Sequence, residues 1–324
     1  MRSYIIKKIV SGLLLIIGLV LFTFFLVRLS PGNPSAIGYD PLKSPQSMSR
    51  LEKAWGLDQP VHTQFYAWVN SLLHGDFGRS YANHKPVTEL LKQTIPNTLL
   101  LTVPALVIQV VVGILLGLIQ VIRHNSWLDR FISSFTLFIY AIPAFWLALM
   151  LIMLFSQKFG WLPSSQMISF SYDSMSVWQK IADRSAHLLL PVLTMSLASI
   201  GITSRYIRNG LVDIMDKTYI TAARARGLSK KRIIFKHALR NTLVPVITVT
   251  GQYFPMLISS SIVIELIFSW PGMGRLVVLS SFARDYPVII ACTFLMAVFV
   301  VFGTLLADIL NAIVDPRIRL QEKI

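Results

Sequence analysis

Apolar residues in this chain are gathered into long runs. Six of them, at about residues 9–29, 97–122, 131–156, 188–206, 243–267 and 288–312, are near the roughly 20 residues an α-helix needs to cross a bilayer core. Each predicts a membrane-spanning helix. The fourth, LLLPVLTMSLASIGITSRYI, is the least apolar and holds Pro191 with several Ser and Thr. Such residues are tolerated where neighbouring helices satisfy the backbone, so this run is expected to face protein or water.

The first run follows a basic start, MRSYIIKK, as the apolar part of a signal peptide would. It exceeds the length of such a region, and no small-x-small cleavage site follows it, so it is read as a retained first span within residues 1–29. Residues 30–96 then form a long polar connection. In it, Pro60 suits the first turn of a helix, and VHTQFYAWVNSLLHG puts Val61, Phe65, Trp68, Val69 and Leu72 on one face before Gly75. The stretch is too short and polar to span. It reads as an amphipathic helix lying in the membrane interface or packed as a cap on the bundle.

Composition agrees with the runs. Of 324 residues, 54% are hydrophobic and 14% charged, against about 25% charged in soluble domains. The net charge of +15 therefore matters by its position. With the N-terminus inside, the inner segments hold Arg2, Lys7 and Lys8, then Arg123 and Arg130, ten basic residues between Arg205 and Arg240, and finally Arg317 and Arg319. The outer segment 30–96 is nearly balanced, with six basic and five acidic side chains. The positive-inside rule then gives an all-α integral membrane protein with six spans and both termini cytoplasmic. Residues 97–312 make its core and 313–324 a cytoplasmic tail. The single cysteine, Cys292, lies in an apolar run and reads as a small hydrophobe.

Several chemistries lack their residues. There is no G-x-x-x-x-G-K-[ST] phosphate loop and no H-E-x-x-H, and no G-x-S-x-G turn. His62, His74 and His84 are too widely spaced for a pair of helical metal ligands. The acids within runs, Glu265 and Asp308, sit near the run ends, where hydration is expected. A proton relay or an intramembrane catalytic pair would need deeper carboxylates. The chain therefore shows no catalytic residues, no metal ligands and no energy source of its own.

Two segments invite a functional reading. In the fifth run, Thr248, Gln252, Pro255 and Ser259 fall on one helical face. That stripe would line a hydrated passage, with Glu265 toward its outer end, or would serve close helix packing. Gly251 with Pro255 would allow a bend. The second segment, within the cytoplasmic stretch 207–242, is TAARARGLSKKRIIFKHALRN (221–241), with seven Lys or Arg and no acid. Ala222, Ala223 and Ala225 favour helix, Gly227 can close it, and Ser229 can cap the next helix. The result is a two-helix elbow with a small-residue corner that a partner surface can approach closely. A nucleic-acid reader could use the same charge, but no aromatic platform accompanies it. Retention of the loop inside explains the Lys and Arg but not Ala-Ala-x-x-x-Gly.

That corner resembles the Glu-Ala-Ala-x-x-x-Gly loop of ABC-importer permeases, with Thr221 in place of Glu and Ala222, Ala223 and Gly227 matching. GLSKKRIIFKHALRNTLVPV is similar to the peptide/nickel branch of those permeases. So are GLDQPVHTQFYAWV (56–69), GDFGRSY (75–81), FSWPGMGRL (268–276), RDYPVI (284–289) and DPRIR (315–319). The resemblance implies a permease subunit in the cytoplasmic membrane of a prokaryote, importing di- or oligopeptides, or else nickel or a metal–chelator complex. It implies a second permease subunit, an extracytoplasmic substrate-binding protein, and two ATPase subunits that hold ATP and Mg. It also implies that those ATPases dock on Thr221, Ala222, Ala223, Arg224, Arg226, Gly227, Leu228 and Ser229. Nucleic acid is not an expected partner, and the lipid bilayer is.

Overall fold

The computed structural model describes residues 2–29, 53 and 55–314. The start of the long polar connection, and the tail with DPRIR, lie outside the described residues. Within them the chain is helical, and its β-type pairing is one isolated bridge between Arg79 and Pro86. In chain order the helices are α1 (Arg2–Leu29), α2 (Val61–Leu73), α3 (Val87–Ile122), α4 (Trp127–Ala141) and α5 (Ala144–Leu151). They continue with α6 (Val177–Met215), α7 (Thr218–Ala225), α8 (Leu239–Ile267), α9 (Met273–Phe282) and α10 (Tyr286–Val314).

Four stretches are long and apolar enough to cross a membrane: Ile6–Leu29, Val87–Ile122, Val177–Met215 and Tyr286–Leu310. The expected third span is two helices. α4 and α5, which continues as a wider π-helical turn over Ile152–Lys158, meet at a bend of 102°. The cause is local: Ile142, before Pro143, is extended at φ −77° and ψ 127°, because the proline ring excludes the helical conformation from the preceding residue. Counted as one broken span, the pair makes five.

The expected fourth span extends in both directions to the 39 residues of α6. A capping box starts it: the Ser176 backbone N–H donates to Gln179 Oε1 at 2.9 Å, and the Ser176 side chain accepts from the backbone at the third helical position. As its polarity predicts, α6 faces protein. Its most apolar window is 56% buried, against 11% in α1. Buried hydroxyls are satisfied within the fold; Thr194 Oγ1 donates to the Leu190 carbonyl at 2.8 Å, across Pro191.

Contacts divide the chain into two compact units. The first holds residues 1–9, 99–270 and 300–324. In it α6 packs against α4, α5 and α8. One apolar cluster joins Leu101 and Ala105 to Leu190, Met195, Leu257, Ile264, Phe268 and Trp270. A second, toward the other end of α6, joins Leu118 and Val121 to Ile207, Leu211, Ile234 and Ala238. Gly113 and Gly117, a small-x-x-x-small pair, let α3 approach α6 closely. A β-carbon on Gly117 would stand 2.6 Å from Ile207 Cβ and 2.8 Å from the Ser204 carbonyl oxygen. Lys8 pairs with Asp308 at 3.0 Å, tying the start of α1 to the end of α10.

The second unit holds residues 10–98 and 271–299. Its core is Val87, Leu91, Val288, Ala291 and Cys292, with Phe77 packed against it; the cysteine is the buried hydrophobe its surroundings predict. α2 forms where the amphipathic pattern puts it. Phe65 and Trp68 stack around the fully buried Phe24 of α1, with ring centroids 5.2 and 5.8 Å away. The aromatic part of the apolar face of α2 thus packs on α1, while no residue of α2 is fully buried.

Candidate functional site

The basic segment folds as its residue types dictate. α7 covers TYITAARA, in which alanine costs no side-chain entropy. Ile220, fully buried, anchors it, and it packs on the end of α6 and on residues 233–238. The helix closes in a Schellman motif. Leu228 N–H donates to the Ala223 carbonyl at 3.3 Å, and Gly227 N–H donates to the Arg224 carbonyl at 2.9 Å. This geometry puts Gly227 at φ +78°, a region that costs any residue with a β-carbon roughly 1–2 kcal/mol.

The next helix starts at once. Arg232 N–H donates to Ser229 Oγ at 3.4 Å and Ile233 N–H to the Ser229 carbonyl at 3.0 Å, so Ser229 is its cap. Residues 230–238 then run through a π-helical stretch, Ile233–Ala238, directly into α8. The elbow is therefore continuous with a long apolar helix on one side. Its fully buried Ile233 and Ile234 hold that junction.

The eight residues singled out in the sequence come together at this corner. Thr221, Ala222, Arg224, Arg226, Gly227 and Ser229 are exposed, and Ala223 and Leu228 are half-buried. Arg224 reaches back to the Met215 carbonyl with Nη2 at 3.4 Å. Around a β-carbon placed on Gly227 there is nothing within 4 Å. What the corner offers is an exposed, small-residue surface with cations beside it.

The stripe on the fifth run is only partly visible. Thr248, Gln252 and Pro255 lie on α8, and their side chains fall outside what the structure describes. Ser259 is exposed. Glu265 departs from expectation: it is fully buried, not hydrated at the run end. Ser261 Oγ donates to its Oε1 at 3.2 Å, and the apolar cluster of Ile264, Phe268 and Trp270 adjoins it in sequence. The backbone of Gly251 packs directly on Ala307 of α10, so this glycine serves close helix packing.

Sequence reasoning missed a polar centre behind the elbow. Asp129, near the start of α4, is 2% exposed and accepts from Arg208 of α6 through Nε at 2.7 Å and Nη2 at 2.8 Å. Asn125 N–H donates to it at 3.1 Å and Gln120 Nε2 at 3.3 Å. Gln120 also joins Ser133 and Ser204, at 2.7 Å each. The network binds the end of α3, the start of α4 and the half of α6 that leads to the elbow. The available signal was an acid three residues after the helix cap Ser126, in a segment otherwise basic.

In the other unit, two of the quoted sequence blocks meet. Asp285 of RDYPVI, 1% exposed, accepts from Ser80 Oγ at 2.5 Å and from the backbone N–H of Tyr81 and Ala82 at 3.0 and 3.3 Å, all in or next to GDFGRSY. Tyr81 stacks on Trp55 with centroids 4.1 Å apart, and burial raises its phenol pKa above 10.0 although Arg28 opposes the shift.

These blocks and the elbow coincide with a known family. Residues 109–320 match the binding-protein-dependent transport system inner membrane component, and residues 1–102 match the N-terminal part of such membrane components. The chain belongs to this family. It is 39% identical over 320 residues to the oligopeptide transport system permease protein AppB of Bacillus subtilis, covering 98% of this chain and 99% of that one. It is 35% identical over 321 residues to the glutathione transport system permease protein GsiC of Salmonella typhimurium, again covering 98% and 99%. Among solved structures it is similar in fold to the inward-facing MetNI methionine ABC transporter, with TM-score 0.54 and 18% identity over 70% of this chain and 97% of that one. The permease is thus an inner-membrane transport component and not an enzyme.

Proposed function

We propose that this permease forms half of a translocation pathway for di- and oligopeptides. The other half is a second permease subunit. An extracytoplasmic binding protein delivers the peptide, and two cytoplasmic ATPase subunits hold ATP and Mg and receive the elbow Thr221–Ser229. On this reading α8 is a sixth span, both termini are cytoplasmic, and Thr248, Gln252 and Ser259 face the pathway.

The observation that carries the proposal is the exposed corner itself. Ala222, Ala223 and Gly227 are held in a hydrogen-bonded turn, with open space beside Gly227, on a chain that has no phosphate-binding loop. Such a surface suits a partner that supplies the nucleotide site. Closure of that partner pair would push α7, and with it α6 and the helix entering α8, between two states. Peptides are favoured as cargo because full-length relatives carry the names of oligopeptide and glutathione permeases.

Reconstitution tests it. The chain, co-expressed with a second permease and two ATPase subunits, should take up a labelled tripeptide into vesicles only with ATP and binding protein. Uptake without ATP, or none of any peptide, would refute the reading.

A further inference from the structure

Beside the elbow, on the half of α6 that leads to it, lies an open cavity of about 510 Å³, within the range of small-ligand sites. Its wall includes Arg205, Tyr206, Asn209, Gly210 and Asp213 of α6, and Thr242 of α8. Arg205, Asn209 and Asp213 are spaced i, i+4 and i+8, which puts them on one helical face. Side chains of opposite charge therefore rise from one groove wall at positions about 12 Å apart along the helix axis at 1.5 Å per residue, with an amide between them.

These groups are accessible, with Asn209 Oδ1 accepting from Arg208 Nη1 at 3.4 Å. Asp213, Asn209 and Tyr206 are exposed. Arg205 is held in place: its Nε donates to the Gly201 carbonyl at 3.1 Å, and its guanidinium carbon lies 5.5 Å from the Tyr140 ring centre. The neighbouring Arg208 is already engaged by Asp129, so it does not neutralise Asp213. Thr242 spends its hydroxyl on the Ala238 carbonyl at 3.0 Å, and presents a methyl group that lies 2.8 Å from a β-carbon placed on Gly210. The floor is thus apolar and the wall carries the charges.

We propose that this groove is a binding station for a zwitterionic peptide of about three or four residues, an extended chain rising roughly 3.3–3.6 Å per residue. Arg205 takes the terminal carboxylate through charge-assisted hydrogen bonds. Asp213 takes the terminal ammonium, Asn209 meets the backbone between them, and Tyr206 offers a face to apolar side chains. The inference rests on the peptide reading above and adds to it a site, a polarity and a length.

The test uses the whole transporter in vesicles, with one binding protein throughout, so that differences between variants report the permease. The probes are trialanine, its C-terminal amide, and N-acetyl-trialanine. Wild type should prefer trialanine over both blocked forms. Arg205→Gln should reduce the preference over the amide about tenfold or more while leaving the preference over the acetyl form, with Arg205→Lys partly restoring it. Asp213→Asn should do the converse. A tripeptide carrying a benzophenone side chain should crosslink to Tyr206 in the purified complex. If both variants transport with wild-type preferences, the station is refuted and the peptide function stands. If either variant loses the second permease on purification, the groove is a subunit contact and the station is likewise refuted. If wild type takes up no peptide, the function itself falls, and the station with it.

Discussion

Asp129 on α4 and Arg208 on α6 form a two-point ion pair, at 2.7 and 2.8 Å, almost entirely out of solvent on the carboxylate side. The pair joins the α3–α4 turn to the helix that carries the elbow. The two helices are thus joined by a directional bond as well as by packing.

Removing one partner of a buried pair strands the other, at a cost of about 3–5 kcal/mol. Arg208→Met should fall near the lower limit, since Arg208 is 25% exposed. Thermal unfolding of the detergent-solubilised transporter should shift clearly downward. The double change Asp129→Leu with Arg208→Met should recover part of that loss, because it strands neither charge, though it leaves Asn125 N–H and Gln120 Nε2 without this acceptor. A single variant as stable as wild type would show that the pair does not hold these helices.

At Gly227, two substitutions separate strain from obstruction. No atom lies within 4 Å of an added β-carbon, and φ is +78°. Gly227→Ala should cost only the conformational penalty, roughly 1–2 kcal/mol, and keep the ATPase subunits bound. Gly227→Arg should insert normally but lose them, with transport abolished. Co-purification with a tagged permease reads this directly. ATPase recovered at wild-type level with the arginine variant would remove the elbow from the docking surface.

Asp285 accepts one hydroxyl and two backbone N–H groups, so Asp285→Ala leaves three donors at residues 80–82 unserved. Hydrogen bonds to a charged group contribute about 1.5–3 kcal/mol each. The expected result is local: residues 76–86 become open to added protease while α3 and α6 keep their protection. Equal protease resistance in variant and wild type would contradict it.

Gly117 and Gly18 make a matched contrast. A β-carbon at Gly117 would collide with Ile207 and Ser204, whereas one at Gly18 meets nothing within 4 Å. Gly117→Leu should destabilise by roughly 1–3 kcal/mol, the usual range for overpacking, and more if the backbones must part. Gly18→Leu should be near neutral in the same melting assay.

Much of this was legible in the chain. Helices α1, α3, α6 and α10 announce themselves as apolar runs, because a bilayer leaves a backbone no other way to satisfy its hydrogen bonds. The elbow was equally readable, since Ala-rich helix, left-handed glycine and serine cap are local decisions. Pro143 was present to be read as a break; the apolar run around it masked the turn, and only the geometry gave 102°. Glu265 shows the opposite failure. Position along a run suggested water, while the packing of α8 in the core of its unit excluded it.

The sequence by itself therefore determined the class of protein, the four long apolar helices and the shape of the corner at 221–229, because hydrophobic length, propensity and capping act within a few residues. Tertiary structure alone decided that Asp129 meets Arg208, that GDFGRSY closes on RDYPVI, and that Arg205 and Asp213 share a groove with Thr242. Those partners lie 79, 205 and 37 residues apart or act across two helices, and such pairings depend on how the helices pack, which no local residue pattern encodes.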